Sequence, residues 1–374
     1  MAGAATGMLL ARAGHRVVII DRATFPSDTL STHAIARTGV VQLHRWGLLD
    51  AVVESGAPRI TDVVFHHGGE RIERRIKDRF GVDFLVAPRR YVLDKLLVDA
   101  ARQAGAQVAT ESIVTGVTFD RTGRAVGVEG RTPSGRFHVD ARFVIGADGL
   151  RSRVARSVGA PVVEEHPAIG ATHYGYFRGA WPAMEYYIDD RAFAGIFPTH
   201  GGEACVWVCS PADLAQRTRR ALRSPQATFE RLLQGIDGHL RRRLLDARQT
   251  SPIRGAIALP NLLRQAAGPG WALVGDAGFH RDPITGHGIS DAFRDAELLA
   301  EALDRSLRGD QPDAIALADY SQRREALLRE VFDLTNDLVA FPAPALFLAL
   351  QKQLGHAIDH QAAQLAALTP SAVG

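Results

Sequence analysis

The stretch from Trp271 to Asp295 leaves few folds open. Trp271-Ala272-Leu273-Val274 is an unbroken apolar run that ends at Gly275-Asp276. Such a run reads as a strand buried on both faces. A loop with Pro283, Gly286 and Gly288 follows, and Asp291, Ala292 and Asp295 fall in what reads as a helix beginning near Gly288. A strand that feeds a glycine-bearing loop and then a helix is a unit of α/β architecture, where ligands sit beyond the carboxyl ends of the strands. The glycines let backbone approach a flat ligand closely. The helix N-terminus offers unpaired N–H groups and the positive end of a dipole. A plain connector has no need of so many glycines.

Two further stretches point the same way. Ala2 to Ala13 reads as a helix of small residues closed by Gly14, and Arg16–Asp21 as a buried strand ending in an acid. An acid at that place accepts hydrogen bonds from the ribose hydroxyls of an adenosine. The unit should begin with a strand and a Gly-x-Gly-x-x-Gly turn whose amides face a pyrophosphate. Gly3 sits where the third glycine belongs, and no strand or glycine pair precedes it. The expectation is a chain that lacks the first strand of its own dinucleotide-binding unit, through a misassigned start codon or truncation. An ordinary helix–strand unit with a chance acid is the alternative. The second stretch is Gly146-Ala147-Asp148-Gly149, with Ser152 and Arg156 beyond it. It places an acid and backbone amides at a sheet's carboxyl edge, unless it is a generic strand–turn–helix.

Between these pieces the pattern predicts a helix over 34–54, strands over 61–65 and 71–76, a helix over 91–104, and short strands over 113–119, 125–130 and 137–139. From about 164 to 210 it turns alternating and aromatic-rich, which predicts a mostly antiparallel sheet with a turn at Gly201-Gly202. The segment 211–248 and the tail read as helical.

Composition excludes several classes. The net charge of +3 comes from arginines spread along the chain, with clusters at Arg219-Arg220 and Arg241-Arg242-Arg243 on amphipathic helices. Solvated helix faces are expected there, and no nucleic-acid motif points to a nucleic-acid partner. Cys205 and Cys209 share one face of a strand and read as buried thiols in a reducing compartment. Two ligands do not make a zinc site, and no metal is expected. The longest late apolar run, 338–350, contains two prolines and is too short for a span of about 20 residues. With no basic leader at the N-terminus, a cytoplasmic protein without a membrane span is expected. Monomer and homodimer stay open.

In combination and order these motifs resemble the aromatic-hydroxylase family of FAD enzymes, the class A flavin monooxygenases. The resemblance runs along nearly the whole chain. It implies an α/β fold with an FAD-binding Rossmann-like domain of the glutathione-reductase type over 1–60, 88–160 and 253–310. A β-sheet substrate domain over 61–87 and 161–252 is inserted into it, and a helical tail over 311–374 closes the chain. It implies that Gly3, Asp21, Arg22, Arg37, Arg90, Asp148, Gly275, Asp276, Pro283, Gly286, Gly288 and Ile289 bind FAD. Asp276 would accept from a ribityl hydroxyl, the helix N-terminus at Gly288 would face the isoalloxazine C2 carbonyl, and Arg37 and Arg90 would reach the phosphate or adenosine region. Asp148 and Gly149 would also touch NADH or NADPH. The implied reaction hydroxylates or epoxidises an aromatic or polycyclic substrate with O2 through a flavin C4a-hydroperoxide.

The sequence departs from the family where His often follows the Gly-Asp-Ala-Ala run, which here has Phe279 and then His280, and where Asn precedes the last Asp-Ala, which here is Ser290. No catalytic acid or base is fixed by the sequence; His280 and His287 are the candidates for moving protons, with plain loop histidines as the alternative. Tyr174, Tyr176, Tyr187, Phe197, Trp207 and His200 are candidate lining of the substrate pocket or simply core. The Trp-x-Trp-x-Ile-Pro signature of flavin halogenases is absent, which argues against chlorination. A flavin-dependent alkene reductase of the geranylgeranyl-reductase type shares the same three motifs. A non-catalytic remnant is the reading outside enzymology.

Overall fold

Small side chains decide how the first helix packs. The computed structural model describes residues 1–29, 31, 34–236 and 238–368. Helix α1 (Ala2–Arg12) has no large residue before Met8, and Ala4 through Ala11 are all buried. A Cβ on Gly7 would lie 2.6 Å from Ile19 Cδ1, and one on Gly3 would lie 3.1 Å from Ala147 Cβ. The two glycines let α1 settle on two strands at once. One is Val18–Ile20, which pairs in parallel with Gln107–Ala109. The other is Val144–Gly146, which pairs in parallel with Trp271–Leu273. Gly3 therefore acts by close helix–strand packing.

The helix expected over 34–54 is two helices, α2 (Arg37–Arg45) and α3 (Leu49–Glu54). Gly47 takes φ +70° between them. A left-handed glycine just past a helix end stops it, and periodicity alone does not show this. Helix α4 (Arg90–Gln103) buries Leu93, Leu97, Val98 and Ala101 against the same core as α1. Three antiparallel strands, Ile113–Phe119, Ala125–Thr132 and Gly135–Asp140, precede Val144–Gly146 and the short helix α5 (Arg153–Ser157).

The aromatic-rich region forms the expected, mostly antiparallel sheet. Gly170–Arg178, Glu203–Pro211, Ala192–Pro198 and Met184–Asp189 follow one another across it. Asp62–His67 then joins in parallel and Glu70–Arg75 closes that edge. The turn at Gly201 and Gly202 has φ +65° and +70°. Period-two alternation gives the sheet two distinct faces. One face carries Tyr174, Tyr176, Phe193, Phe197, Cys205, Trp207 and Cys209. The other carries Phe177, Tyr187, Ala194 and Val206. Helices α6 (Ala212–Leu222), α7 (Pro225–Leu233) and α8 (Gly238–Leu245) follow the sheet, and Ala215, Phe229, Leu232 and Leu240 pack on that second face. Arg219, Arg220, Arg241 and Arg242 are exposed as expected, whereas Arg243 turns inward onto Glu185 and Trp181.

Helix α9 (Gly288–Arg308) runs beside α1. The tail forms α10 (Asp313–Val339) and α11 (Pro344–Ala366), and 369–374 of the expected tail lie outside the described residues. Leu338, Phe347, Leu350 and Leu354 of these helices cover the first face of the sheet. Both cysteines are free and buried, and burial pushes their thiols up, so they stay protonated. Among the described residues no helix is long and apolar enough to cross a membrane.

Candidate functional site

The strand Trp271–Leu273 delivers Gly275 into a tight turn at φ +57°. The Gly275 N–H donates to Asp295 Oδ2 of α9 at 3.0 Å. A Cβ on Gly275 would stand 3.2 Å from Ala2 Cβ. The turn, α1 and α9 thus converge, and a cavity of about 390 Å³ opens where they meet. Met1, Ala2, Arg90, Ala147, Gly149 and Asp276 line it. So do Thr172, Tyr174, Leu259, His280 and Asp282, and Pro283, Gly286, His287, Gly288 and Ile289 of the loop before α9 and its start.

The loop before α9 is shaped by its own capping. Asp282 Oδ1 accepts from the Ile284 N–H at 2.9 Å, which starts the turn Pro283–Thr285. Gly286 ends that turn at φ +67°. His287 is the N-cap of α9 but caps nothing with its side chain. Gly288 is the first residue of the helix, has no positive φ, and a Cβ there would meet no atom of the described residues within 4 Å. Among the described residues nothing requires glycine at 288. Its effect is to keep the N–H end of a 21-residue helix bare toward the cavity.

Behind this surface lies a chain of buried charges. Arg281 Nε donates to Asp291 Oδ2 at 2.7 Å. Arg294 donates to Asp291 Oδ1 at 2.6 Å and to Asp295 Oδ1 at 2.7 Å. Burial works to raise the pKa of Asp291, but the two flanking guanidinium groups prevail and hold it below the usual carboxylate range. The acids that the sequence reading placed at the start of this helix therefore lock the Gly275 turn to α9.

Other expected site residues are placed as follows. Asp276 is exposed to the cavity; desolvation by the surrounding walls raises its pKa, opposed by His280 and Arg90 and reinforced by Asp291 and Asp295. Arg90 lines the cavity and makes a two-pronged pair with Asp94, both bonds 2.9 Å. Asp21 Oδ1 accepts from the Ala23 N–H at 2.8 Å at the end of its strand, and Arg22 is exposed. Arg37 donates to the carbonyls of Lys77 and Val82 and pairs with Asp359 of α11 at 3.0 Å. Asp148 accepts from Ser152 Oγ at 2.5 Å and from the N–H groups of Arg153 and Val154, so it caps α5. Asp21, Arg22, Arg37, Asp148 and Gly3 do not line the cavity, whereas Asp276, Arg90, Gly275, Pro283, Gly286, Gly288 and Ile289 do. His280 Nδ1 stands 2.6 Å from the Pro260 carbonyl. Burial, then Arg281, drive the His287 pKa down to about 3, so its ring is neutral near pH 7. Of the aromatic candidates, Tyr174 reaches the cavity, and its hydroxyl accepts from the Ser31 N–H at 3.0 Å. Tyr187 lies on the opposite face of the sheet, and alternation puts Tyr186 on the face that carries Tyr174.

Asp282 escaped the sequence reading, although an Asp just before Pro283 is a turn-starting signal. The residue is buried and lines the cavity, and its carboxyl has its pKa raised to about 6, by burial first, against the Ile284 N–H and His280. A raised folded pKa makes ionisation cost stability. The cost is absent below the unfolded value near ~4, grows between there and about 6, and is complete above that, at about 3 kcal/mol. Asp282→Asn keeps the acceptor for Ile284 and removes the charge. The variant is expected to melt higher than the parent at pH 8, with the gain shrinking as the pH falls through 6 toward 4. Melting curves across that range check it; a pH-independent difference contradicts it.

Parallel strands ending in a glycine turn, a bare helix N-terminus and a cavity between them define a nucleotide-cofactor protein of the Rossmann-like α/β class. Residues 1–335 match the family model described as FAD binding domain, and the chain belongs to that family. It is an FAD-dependent oxidoreductase. Menaquinone reductase of Mycolicibacterium smegmatis is 28% identical over 361 residues, covering 88% of this chain and 78% of that protein. Digeranylgeranylglycerophospholipid reductase 1 of Methanopyrus kandleri is 26% identical over 350 residues, covering 90% and 87%. Among solved structures, PqsL, a probable FAD-dependent monooxygenase from Pseudomonas aeruginosa, superposes with TM-score 0.79 at 24% identity over 94% of this chain and 96% of that one. Flavin-dependent brominase Bmp2 gives TM-score 0.82 at 18% identity over 98% and 90%. These two share the fold. The residues at the cavity fit FAD: the side-chain-free approach at Gly286 and Gly288, the acid at Asp276 and the arginine at 90 suit a cofactor with flat rings, hydroxyls and phosphates.

Proposed function

We propose that the enzyme takes reducing equivalents from NADH or NADPH and uses them to saturate a carbon–carbon double bond of an apolar substrate. The observation that carries this reading is Asp282, a buried acid among the residues that line the cavity, as Thr172 and Tyr174 do. Reduction of an alkene needs a proton for one carbon as well as a hydride for the other. Bound FAD supplies the two-electron chemistry. Asp282 holds a proton at its carboxyl, with a pKa close enough to neutrality for both release and recovery. Arg90 and the N-terminus of α9 orient the cofactor, Asp276 accepts from its hydroxyls, and Tyr174, Ala256 and Leu259 give the substrate an apolar wall. The relatives named as reductases, which this chain matches over most of their length, support reduction as the reaction.

A second reading is oxygenation of an aromatic or polycyclic substrate with O2. Tyr174 in the cavity and the fold shared with a probable monooxygenase favour it. Turnover of the flavin-loaded enzyme with a polyprenyl alkene and with polycyclic phenols, under air and without oxygen, separates the two. A product that gains two hydrogens without oxygen supports reduction. A product that gains one labelled atom from heavy O2, with no turnover in its absence, overturns reduction in favour of oxygenation.

A further inference from the structure

Strand alternation and a crossing helix gather three metal-binding side chains on the sheet face away from Tyr174 and Trp207. His66 lies in the strand Asp62–His67 and stands in parallel register with Tyr187. Their rings stack at 4.3 Å and 3°. Glu185 is two residues before Tyr187, hence on the same face. Helix α8 lies across this face and adds His239, whose ring centroid is 5.2 Å from that of His66, and Arg243 one turn later. One ligand atom from each of His66, Glu185 and His239 lies within 4.8 Å of the other two. His66 and Glu185 are buried and His239 is half-buried.

We propose that His66, Glu185 and His239 bind one divalent transition-metal ion of the zinc type, a site separate from the FAD cavity. Two imidazoles and one carboxylate are a ligand set zinc takes, with a fourth position left to water. The carboxylate is already divided in the way a one-oxygen ligand needs. Its Oε1 is held by the Arg243 guanidinium, which also donates to the Ala180 carbonyl at 2.7 Å. Its Oε2 faces His66 Nε2 at 2.9 Å and the Tyr187 hydroxyl at 2.8 Å. Outer partners of this kind fix a ligand's orientation. Tyr187 does so twice, by stacking on His66 and by standing 3.2 Å from His239 Nδ1. Ligand atoms around tetrahedral zinc stand roughly 3.3 Å apart, so binding draws α8 a short way toward the sheet. Leu240 is the buried side chain of α8 among the described residues, Leu244 is partly buried beside it, and Arg243 already ties the helix to Glu185 and the Ala180 carbonyl. The ion would staple α8 to the sheet.

The test uses the full chain, stripped with a chelator, exchanged into metal-free buffer and titrated calorimetrically with zinc chloride. Cobalt(II) absorption serves as the second readout. The expected result is one ion per chain, tetrahedral cobalt bands, and a melting temperature that rises by about 2–5 °C with saturating zinc. His239→Ala, at a half-buried helix position, should keep the parent's far-ultraviolet dichroism while weakening zinc binding more than about tenfold and abolishing the melting shift. His66→Ala and Glu185→Gln should weaken binding likewise. Absence of zinc binding to the parent at micromolar concentration overturns the proposal. So does binding that persists unchanged in both histidine variants, which would move the ion to a surface pair such as His166–Glu164 or His138–Asp140.

Discussion

Gly288→Phe is expected to leave the protein folded and to remove its affinity for FAD. Among the described residues a Cβ at 288 meets no atom within 4 Å, and the residue has no positive φ to strain. The first turn of α9 accepts a side chain without cost to its hydrogen bonds. The new ring must stand in the cavity, over the helix N–H groups that a cofactor carbonyl or phosphate would use. Steric exclusion there should cost at least ~3 kcal/mol of binding, a rise in Kd of about 100-fold or more. Gly288→Ala should cost far less. Melting temperature and far-ultraviolet dichroism should match the parent for both variants, while quenching of FAD fluorescence falls away for Gly288→Phe alone. An affinity for FAD within about threefold of the parent would place the cofactor elsewhere.

Arg294→Met is expected to produce the largest loss of stability. Arg294 is 1% exposed and sits between Asp291 and Asp295. Removing it leaves Asp291 with Arg281 but strips Asp295 of its cation in a site from which water is excluded. Breaking a buried pair in this way costs about 3–5 kcal/mol, because the orphaned charge has no solvation to fall back on. Asp295 also holds the Gly275 N–H, so the defect reaches the cavity and FAD affinity should fall with stability. Adding Asp295→Asn removes the orphaned charge and should recover part of the loss. Urea unfolding of the two variants checks both statements. A double variant less stable than Arg294→Met would show that the charge was not the source of the loss.

Much of this site was legible in the sequence, for a physical reason. Glycine tolerance, helix-end donors and strand-terminal acids are local properties, and the loop from Gly275 to Gly288 contains all three. What depended on distant contacts was not legible. Asp291 and Asp295 announced a helix start, but their partners Arg281 and Arg294 gave no periodic signal. Arg37 follows the second strand, where the resemblance expects an arginine for the phosphate or adenosine region, yet its guanidinium is engaged by Asp359, far along the chain. Tyr186 and Tyr187 are neighbours in sequence, and only the register with Asp62–His67 decides which faces which way. Arg243 looked like one of three solvated arginines and instead turns onto Glu185. The set His66, Glu185 and His239 has no motif spacing at all, because a sheet register and a helix crossing create it.

The visible absorption spectrum of the purified chain, mixed with excess FAD and then desalted, tests the central claim most directly. Flavin bands retained at close to one FAD per chain, and bleached by NADH or NADPH without oxygen, are the expected result. A desalted protein that is folded by circular dichroism and carries no flavin would contradict the assignment of the Gly275–Ile289 cavity as the FAD site.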